Sequence, residues 1–102
     1  MQSNSVNSQM LLRISTLFAI NELSIVQELL ESECGGNLPL IEKQGVEGIE
    51  RIRCAVLRLS EGSMEKLHRA IEIAKFDWRD VLVASGFAND LTSHLVWLRN
   101  EQ

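Results

Sequence analysis

Apolar side chains recur every three or four residues along most of this chain, and this spacing constrains its fold more than any other feature. Such a period places the side chains on one face of an α-helix, whereas a half-buried strand would need strict alternation. The sequence contains one proline, six glycines and no tyrosine, so residues that break helices or favour strands are few. The pattern predicts an all-α fold, a single-domain bundle of five or six short helices.

Capping and stop residues predict where the first segments begin and end. Residues 1–6 are expected to be a flexible polar lead, and residues 7–102 a single helical domain. The first helix should cover about 7–20. A capping box that begins at Ser24 should start a second helix, which two consecutive glycines end after about residue 33. One continuous helix over 7–33 is the alternative.

Four further helices are expected in the rest of the chain. The third should run over about 39–60, because proline at position 39 is tolerated in a first helical turn. The fourth follows a turn at 60–63 and has its apolar side chains at helical spacing, namely Met64, Leu67, Ile71 and Ala74. Asn89 or Asp90 should cap the last helix, whose shared face consists of Leu91, His94, Leu95, Trp97 and Leu98.

The segment "FDWRDVLVASGF", residues 76–87, concentrates charge and aromatic surface in a few positions. Asp77 is expected to cap a fifth helix, and Asp80 to place a second negative charge in its first turn, where the helix dipole favours anions. Arg79 is left for an acidic partner or for solvent. Gly86 should end the helix, with Phe87 folding back in a Schellman motif. These positions are therefore interpreted as structural and not catalytic.

The apolar residues of the same segment are expected to cover the first turn of the fifth helix. Trp78, Val81 and Leu82 supply this surface, and Phe76 with Val81 has the spacing of a hydrophobic staple.

Charge and cysteine content narrow the classes of function. The formal net charge is −4, and the basic residues concentrate between 49 and 79 without forming a strong basic patch, so nucleic acid is a disfavoured partner. Charged residues interrupt the apolar stretch 10–30, which therefore predicts neither a signal peptide nor a membrane span. Two cysteines without a CxxC motif indicate no disulfide framework and no zinc site. A cytoplasmic location is expected.

One cluster of side chains suggests metal chemistry. Glu61, Glu65, His68 and Glu72 project from one flank of the fourth helix, and Glu65 with His68 forms an ExxH pair. Di-iron carboxylate bundles use two such pairs, so a dimeric metal-carboxylate protein that binds iron or manganese is one alternative. The favoured interpretation is a solvated flank, in which Glu65 pairs with Arg69 and Glu72 with Lys75. We therefore expect no cofactor, and an enzyme is the less favoured class.

A helix-turn-helix DNA-binding regulator is the second alternative, suggested by the segment "DVLVASGFANDLTSHL". Leu82 stands where this motif needs a small residue, and Thr92 where it needs an apolar one. The helix after the turn carries a single cation, Arg99, although phosphate contacts need several.

Three residues could be reactive by their chemical type. Cys34 lies beside two glycines and is expected to be exposed. Cys54 is expected on the polar side of the third helix, near Arg51 and Arg58, which would lower its thiol pKa. Both are interpreted as ordinary free thiols. His94 is interpreted as a partly buried histidine and not as a base.

Apolar side chains that lie outside the core faces of their helices predict that the protein is an interaction module. Leu12, Ile20, Ile73 and Val96 point away from the core faces of their helices, and exposed apolar residues of this kind mark partner surfaces. The expected partner is a second copy in a two-fold homodimer formed through the N-terminal helices, or else another protein. The alternative is that the first two helices lie at the centre of the monomer.

The stretch from 48 to 87 resembles small uncharacterised bacterial all-helical proteins with RIRxAxLxLSxG and DWRDxLVxxGF segments. The second segment carries the resemblance at Asp77, Trp78, Arg79, Asp80 and Gly86. It covers about two fifths of the chain. It implies a bacterial cytoplasmic origin and brings no activity, ligand or catalytic residue with it.

Overall fold

The computed structural model describes residues 5–99, and in this part of the chain every element of regular secondary structure is a helix and none is a β-strand. The predicted all-α bundle is thereby confirmed. Within residues 5–99, five α-helices and one short 3-10 helix follow one another as α1 (Ser8–Leu17), the 3-10 helix (Ile20–Glu22), α2 (Leu23–Glu33), α3 (Gly45–Ser60), α4 (Met64–Ser85) and α5 (Ser93–Arg99).

α3 is the central helix of the bundle. Its six consecutive residues 52–57 are all buried, so neighbouring elements cover every side of the helix over this stretch. α4 runs back antiparallel to α3, and the contact between these two helices is the most extensive between any two elements of the described chain. The Nε–H of Arg53, on α3, donates a hydrogen bond to the backbone carbonyl of Cys34 at 2.8 Å, which ties α3 to the end of α2. This middle stretch of α3 has no solvent-facing side, and this affects several of the sequence predictions.

The turn between α3 and α4 needs a glycine. Glu61 and Gly62 both adopt positive φ, at 51° and 81°. A Cβ at position 62 would lie 2.6 Å from the carbonyl oxygen of Leu17, at the end of α1. Because the turn packs directly on this carbonyl, Gly62 allows α1 to approach the α3–α4 pair closely.

α4 joins the predicted fourth and fifth helices into one element with a kink. Asp77 has extended backbone angles (φ −159°, ψ 103°) inside an otherwise helical run of 22 residues. The helix is therefore divided into an N-terminal and a C-terminal segment at this residue. Both segments bury one side in the core, through Leu67, Ala70, Ile71 and Ala74 in the first and Val81, Leu82 and Ser85 in the second.

Two of the predicted helix starts are wrong. α2 begins at Leu23, and Ser24 lies inside it; the carboxylate of Glu22 instead accepts a hydrogen bond from the N–H of Ala19 at 3.0 Å. Residues 18–22 separate α1 from α2, so the continuous alternative over 7–33 is also wrong.

α3 begins at Gly45 and not at Pro39. Residues 34–44 form successive turns, and Leu40 has a positive φ of 58°, which a helix does not accommodate. Two side chains from this segment, Leu38 and Ile41, are buried in the core, so tertiary packing holds the turns in place.

The predicted polar lead falls partly outside the described residues, as do residues 100–102 of the predicted domain. Val6, which the sequence assigned to the lead, is buried in the core. Its N–H donates a hydrogen bond to the carboxylate of Glu31 at 3.0 Å. At this position the chain is already part of the folded domain.

Candidate functional site

The four predicted interface residues are all exposed, but they do not share one element. Leu12 lies on α1, Ile20 on the 3-10 helix, Ile73 on α4 and Val96 on α5. Helix α1 buries Met10 and Ile14 instead. Exposure alone therefore leaves several apolar positions scattered over the surface, and such single positions are ordinary in folded proteins.

The outward side of α4 is different, because two large apolar side chains lie one helical turn apart. Phe76 is 86% exposed and Ile73 is 43% exposed. Arg69 precedes this pair and Asp80 follows it, so that the four residues are spaced by four, three and four positions, and all four are exposed. We call these residues, Arg69, Ile73, Phe76 and Asp80, the α4 outer face.

The predicted hydrophobic staple between Phe76 and Val81 does not form. Val81 is fully buried, whereas Phe76 points to solvent. Phe76 immediately precedes the extended residue Asp77, and the kink there directs its side chain away from the core-facing side of the next segment. Phe76 therefore adds apolar surface to the outside of the molecule and not to its core.

Asp77 makes the contacts of a helix N-cap. Its Oδ1 accepts a hydrogen bond from the backbone N–H of Arg79 at 3.1 Å, at the start of the second segment of α4. The guanidinium of Arg79 also binds both carboxylate oxygens, at 2.9 Å and 3.0 Å. These side-chain and backbone hydrogen bonds from Arg79 lower the pKa of Asp77. Asp80 is exposed and makes no hydrogen bond within residues 5–99, so the two acids do not form a pair for acid–base catalysis.

Trp78 and Gly86 also have structural roles in this segment. The indole N–H of Trp78 donates to the carbonyl of Pro39 at 2.7 Å, a contact that no local sequence signal indicates. Gly86 adopts a left-handed conformation (φ 87°), and the N–H of Phe87 donates to the carbonyl of Leu82 at 2.9 Å. This is the hydrogen bond of a Schellman motif. The segment thus anchors α4 at its kink, at its end and against the turns before α3.

The candidate metal cluster is not assembled in the monomer. Each of its glutamates pairs with a nearby cation: Glu61 with Lys66 at 2.5 Å, Glu65 with Arg69 at 2.8 Å and Glu72 with Lys75 at 3.7 Å. The expected pairs of Glu65 and Glu72 are present. His68 is exposed on the same helix. Nowhere in the described part of the chain do three His, Cys, Asp or Glu side chains come together as a metal site.

The exposure predicted for the two cysteines is wrong. Cys34 and Cys54 are both fully buried free thiols. Burial raises the pKa of Cys34 to about 12. Burial also raises the pKa of Cys54, opposite to the lowering expected for this thiol from Arg51 and Arg58. Cys54 has no solvent-facing side of α3 to occupy, because the stretch 52–57 is covered on every side. Neither thiol is poised to be a nucleophile.

A cleft of about 400 Å³ lies between α3 and the segment 91–95. Its walls consist of Gln44, Glu47, Gly48, Glu50, Arg51, Leu91, Thr92, His94 and Leu95, and we call it the α3–α5 cleft. His94 is 3% exposed, and burial, followed by the charge of Arg51, lowers its pKa. Burial, followed by the charge of Glu47, raises the pKa of Glu50. Sequence reasoning missed this site, because its two walls are about forty residues apart in the chain.

The expected face of the last helix is only partly correct. His94 and Leu98 are buried, whereas Leu91 is exposed at the rim of the cleft and precedes α5. The carboxylate of Asp90 accepts hydrogen bonds from the N–H and the hydroxyl of Thr92, at 2.7 Å and 2.8 Å. α5 has seven residues, and Arg99 is the only lysine or arginine among them. The helix therefore provides little of the positive charge that contact with DNA phosphates requires.

Comparisons with protein families, with curated proteins and with solved structures found no match to this chain. Within residues 5–99, none of the helices has both the length and the apolar character needed to cross a membrane.

Proposed function

We propose that this protein is a small bacterial cytoplasmic interaction module that works as a two-fold homodimer, with the α4 outer face as its contact surface. The observation that carries the proposal is the exposure of Phe76 beside Ile73 on the longest helix of the fold. Aromatic side chains are enriched at the centres of protein interfaces, where they contribute most of the binding energy. A second copy would remove this apolar pair from water.

The charges on either side of the apolar pair favour an antiparallel arrangement. In a two-fold dimer whose axis passes between Ile73 and Phe76, each Ile73 faces Phe76 of the partner subunit. The same symmetry turns the end of the face that carries Arg69 toward the end that carries Asp80 of the partner subunit, because Arg69 precedes the apolar pair and Asp80 follows it. Opposite charges at the rim would select this register over a parallel one. Arg69 and Asp80 are both exposed and accessible for such contacts.

The two buried free cysteines support the cytoplasmic part of the proposal. Free thiols persist in reducing compartments, whereas exported proteins of this size commonly pair their cysteines in disulfides.

The contact surface is tested by measuring molar mass with light scattering as the protein is diluted. We expect Phe76→Ser and Ile73→Ser to shift the population to monomer at concentrations where the unaltered chain is a dimer. Val96→Ser is the matched control, because Val96 is also a half-exposed aliphatic residue but lies on α5. A dimer that persists in Phe76→Ser, or one lost in Val96→Ser alone, would place the contact elsewhere.

A further inference from the structure

α5 is a short helix that is held to the bundle chiefly by packing. Two of its seven residues, His94 and Leu98, are buried. The side chains of Ser93 and Arg99 donate hydrogen bonds to backbone carbonyls within the segment 90–99, so these bonds do not join α5 to another helix. Elements that are fixed by few buried contacts open locally at a lower free energy than the centre of a fold. We therefore expect that α5 can leave the bundle while the other helices stay in place.

The segment 88–92, which leads into α5, provides a hinge. Its residues are all exposed. The chain is fixed at the start of this segment, because Nη2 of Arg51 donates hydrogen bonds to the carbonyls of Phe87 and Ala88, at 2.6 Å and 3.2 Å. α5 can therefore move about the exposed residues while the extensive contact between α3 and α4 is preserved.

His94 is the buried residue of α5 whose charge can change near neutral pH. It is 3% exposed, and its ring packs edge-on against Phe87 with the ring centroids 6.3 Å apart. Its Nδ1 has no hydrogen-bond partner among the described residues. A neutral imidazole can keep its one proton on Nε2, whereas an imidazolium carries a proton on both nitrogens. Protonation of the docked ring therefore creates a buried, charged donor without an acceptor, which costs free energy.

Several charged side chains lie on the elements that pack against α5. They are Arg13 on α1, Glu47, Glu50, Arg51 and Arg58 on α3, and Asp90 in the hinge. The guanidinium of Arg13 lies over the ring of Trp97 at 4.4 Å, and that of Arg58 lies over the ring of Phe87 at 5.2 Å. The aromatic side chains between α5 and the bundle are thus already in contact with two cations.

The balance of these charges opposes a third cation at His94. Burial, followed by the charge of Arg51, lowers the pKa of the docked ring below its usual value of 6.5. Asp90 favours the charged ring, but by less than these two effects oppose it. Glu47 and Glu50 line the α3–α5 cleft together with His94 and do not reverse this direction.

We propose that α5 is a pH-sensitive latch, in which protonation of His94 releases residues 93–99 from the bundle and uncovers Phe87. Released His94 takes up a proton in water near its usual pKa of 6.5, whereas the docked ring does so only at lower pH. Docking is therefore strongest above 6.5 and weakens as the pH falls below it. The α4 outer face is not part of the latch, so the test does not depend on the dimer.

The latch is tested by fluorine NMR of the full chain with fluorotryptophan at both of its tryptophans, Trp78 and Trp97. The shift of each fluorine signal between water and heavy water measures how far that side chain is exposed to solvent. We expect this solvent shift to grow for Trp97 as the pH is lowered from about 7.5 to 5.5, the range in which histidine changes its charge. Trp78, which is bound to the carbonyl of Pro39, should keep its value.

Variants connect the release to the histidine. His94→Leu and His94→Gln cannot be charged, so the solvent shift of Trp97 should be the same at both ends of the pH range. His68→Gln, at an exposed position on α4, and Glu50→Gln should keep the full change. The proposal is overturned if Trp97 does not respond to pH, if it responds equally in both His94 variants, or if Trp78 becomes exposed together with it, since the whole fold would then open.

Discussion

At the scale of single residues, the burial of ionisable side chains decides how stability responds to pH. His94 is almost completely buried, and its pKa lies below the usual value of 6.5, first because of burial and then because of Arg51. Asp90 acts weakly in the opposite direction. Protonation of the ring therefore disfavours the folded state relative to the unfolded chain.

We predict that the free energy of unfolding falls as the pH is lowered through 6.5. The unfolded chain takes up a proton near this pH, whereas folded His94 does so only at lower pH, so its contribution is complete above 6.5 and is lost below it. Glu50, whose pKa is raised, has the opposite effect at lower pH, near and above its usual value of 4.5. Denaturant unfolding at a series of pH values measures the slope.

The control for this prediction uses the other histidine. His94→Gln should flatten the slope around pH 6.5, whereas His68→Gln, at an exposed position, should keep it. A slope that survives in His94→Gln would mean that another group is responsible.

We predict that Gly62→Ala destabilises the fold by about 2 kcal/mol or more, because of backbone strain and steric overlap. A Cβ at this position would collide with the carbonyl of Leu17, and the φ of 81° disfavours any side chain. Gly36→Ala is the control, since nothing lies within 4 Å of a Cβ there. Thermal unfolding of both variants measures the difference. Equal stabilities would contradict the close contact between the α3–α4 turn and α1.

At the scale of helices, the signals that predicted the structure correctly are those whose contacts are local. The cap at Asp77 and the stop at Gly86 each depend on hydrogen bonds within a few residues, so the sequence contains all the information they need. The segment 34–44 is different. Its turns depend on the burial of Leu38 and on the hydrogen bond from Trp78 to Pro39, thirty-nine positions away. A helical pattern in this segment was therefore misleading.

The kink in α4 gives a prediction at this scale. Asp77→Ala should lose about 1 kcal/mol of stability, because the first amides of the second segment lose their cap. Asp77→Asn should lose only a few tenths of a kcal/mol, since an asparagine oxygen also caps a helix and the exposed ion pair with Arg79 contributes little stability. Chemical denaturation compares the two. A loss of stability in Asp77→Asn as large as that in Asp77→Ala would mean that the ion pair, and not the cap, is the important contact.

Across the whole fold, the features that could not be predicted from the sequence are those that depend on how the helices pack against one another. The burial of Cys54 follows from the central position of α3, and a helical wheel cannot identify a stretch of helix, here 52–57, that is covered on all sides. The α3–α5 cleft was also out of reach, because Arg51 and His94 meet only when α5 packs on α3. The exposure of Ile73 was predictable from its angle on the wheel, whereas that of Phe76 depends on the kink that follows it.

We propose that two copies of the chain meet through the α4 outer face in an antiparallel register. The most direct test is the molar mass by light scattering of the unaltered chain, of Arg69→Glu and of the double variant Arg69→Glu/Asp80→Arg. We predict twice the chain mass of 11.5 kDa for the unaltered protein, a shift toward 11.5 kDa for Arg69→Glu, and recovery of the dimer in the double variant, where the facing charges are exchanged. A mass of 11.5 kDa for the unaltered chain at every concentration, or equal masses for the single and double variants, would contradict the claim.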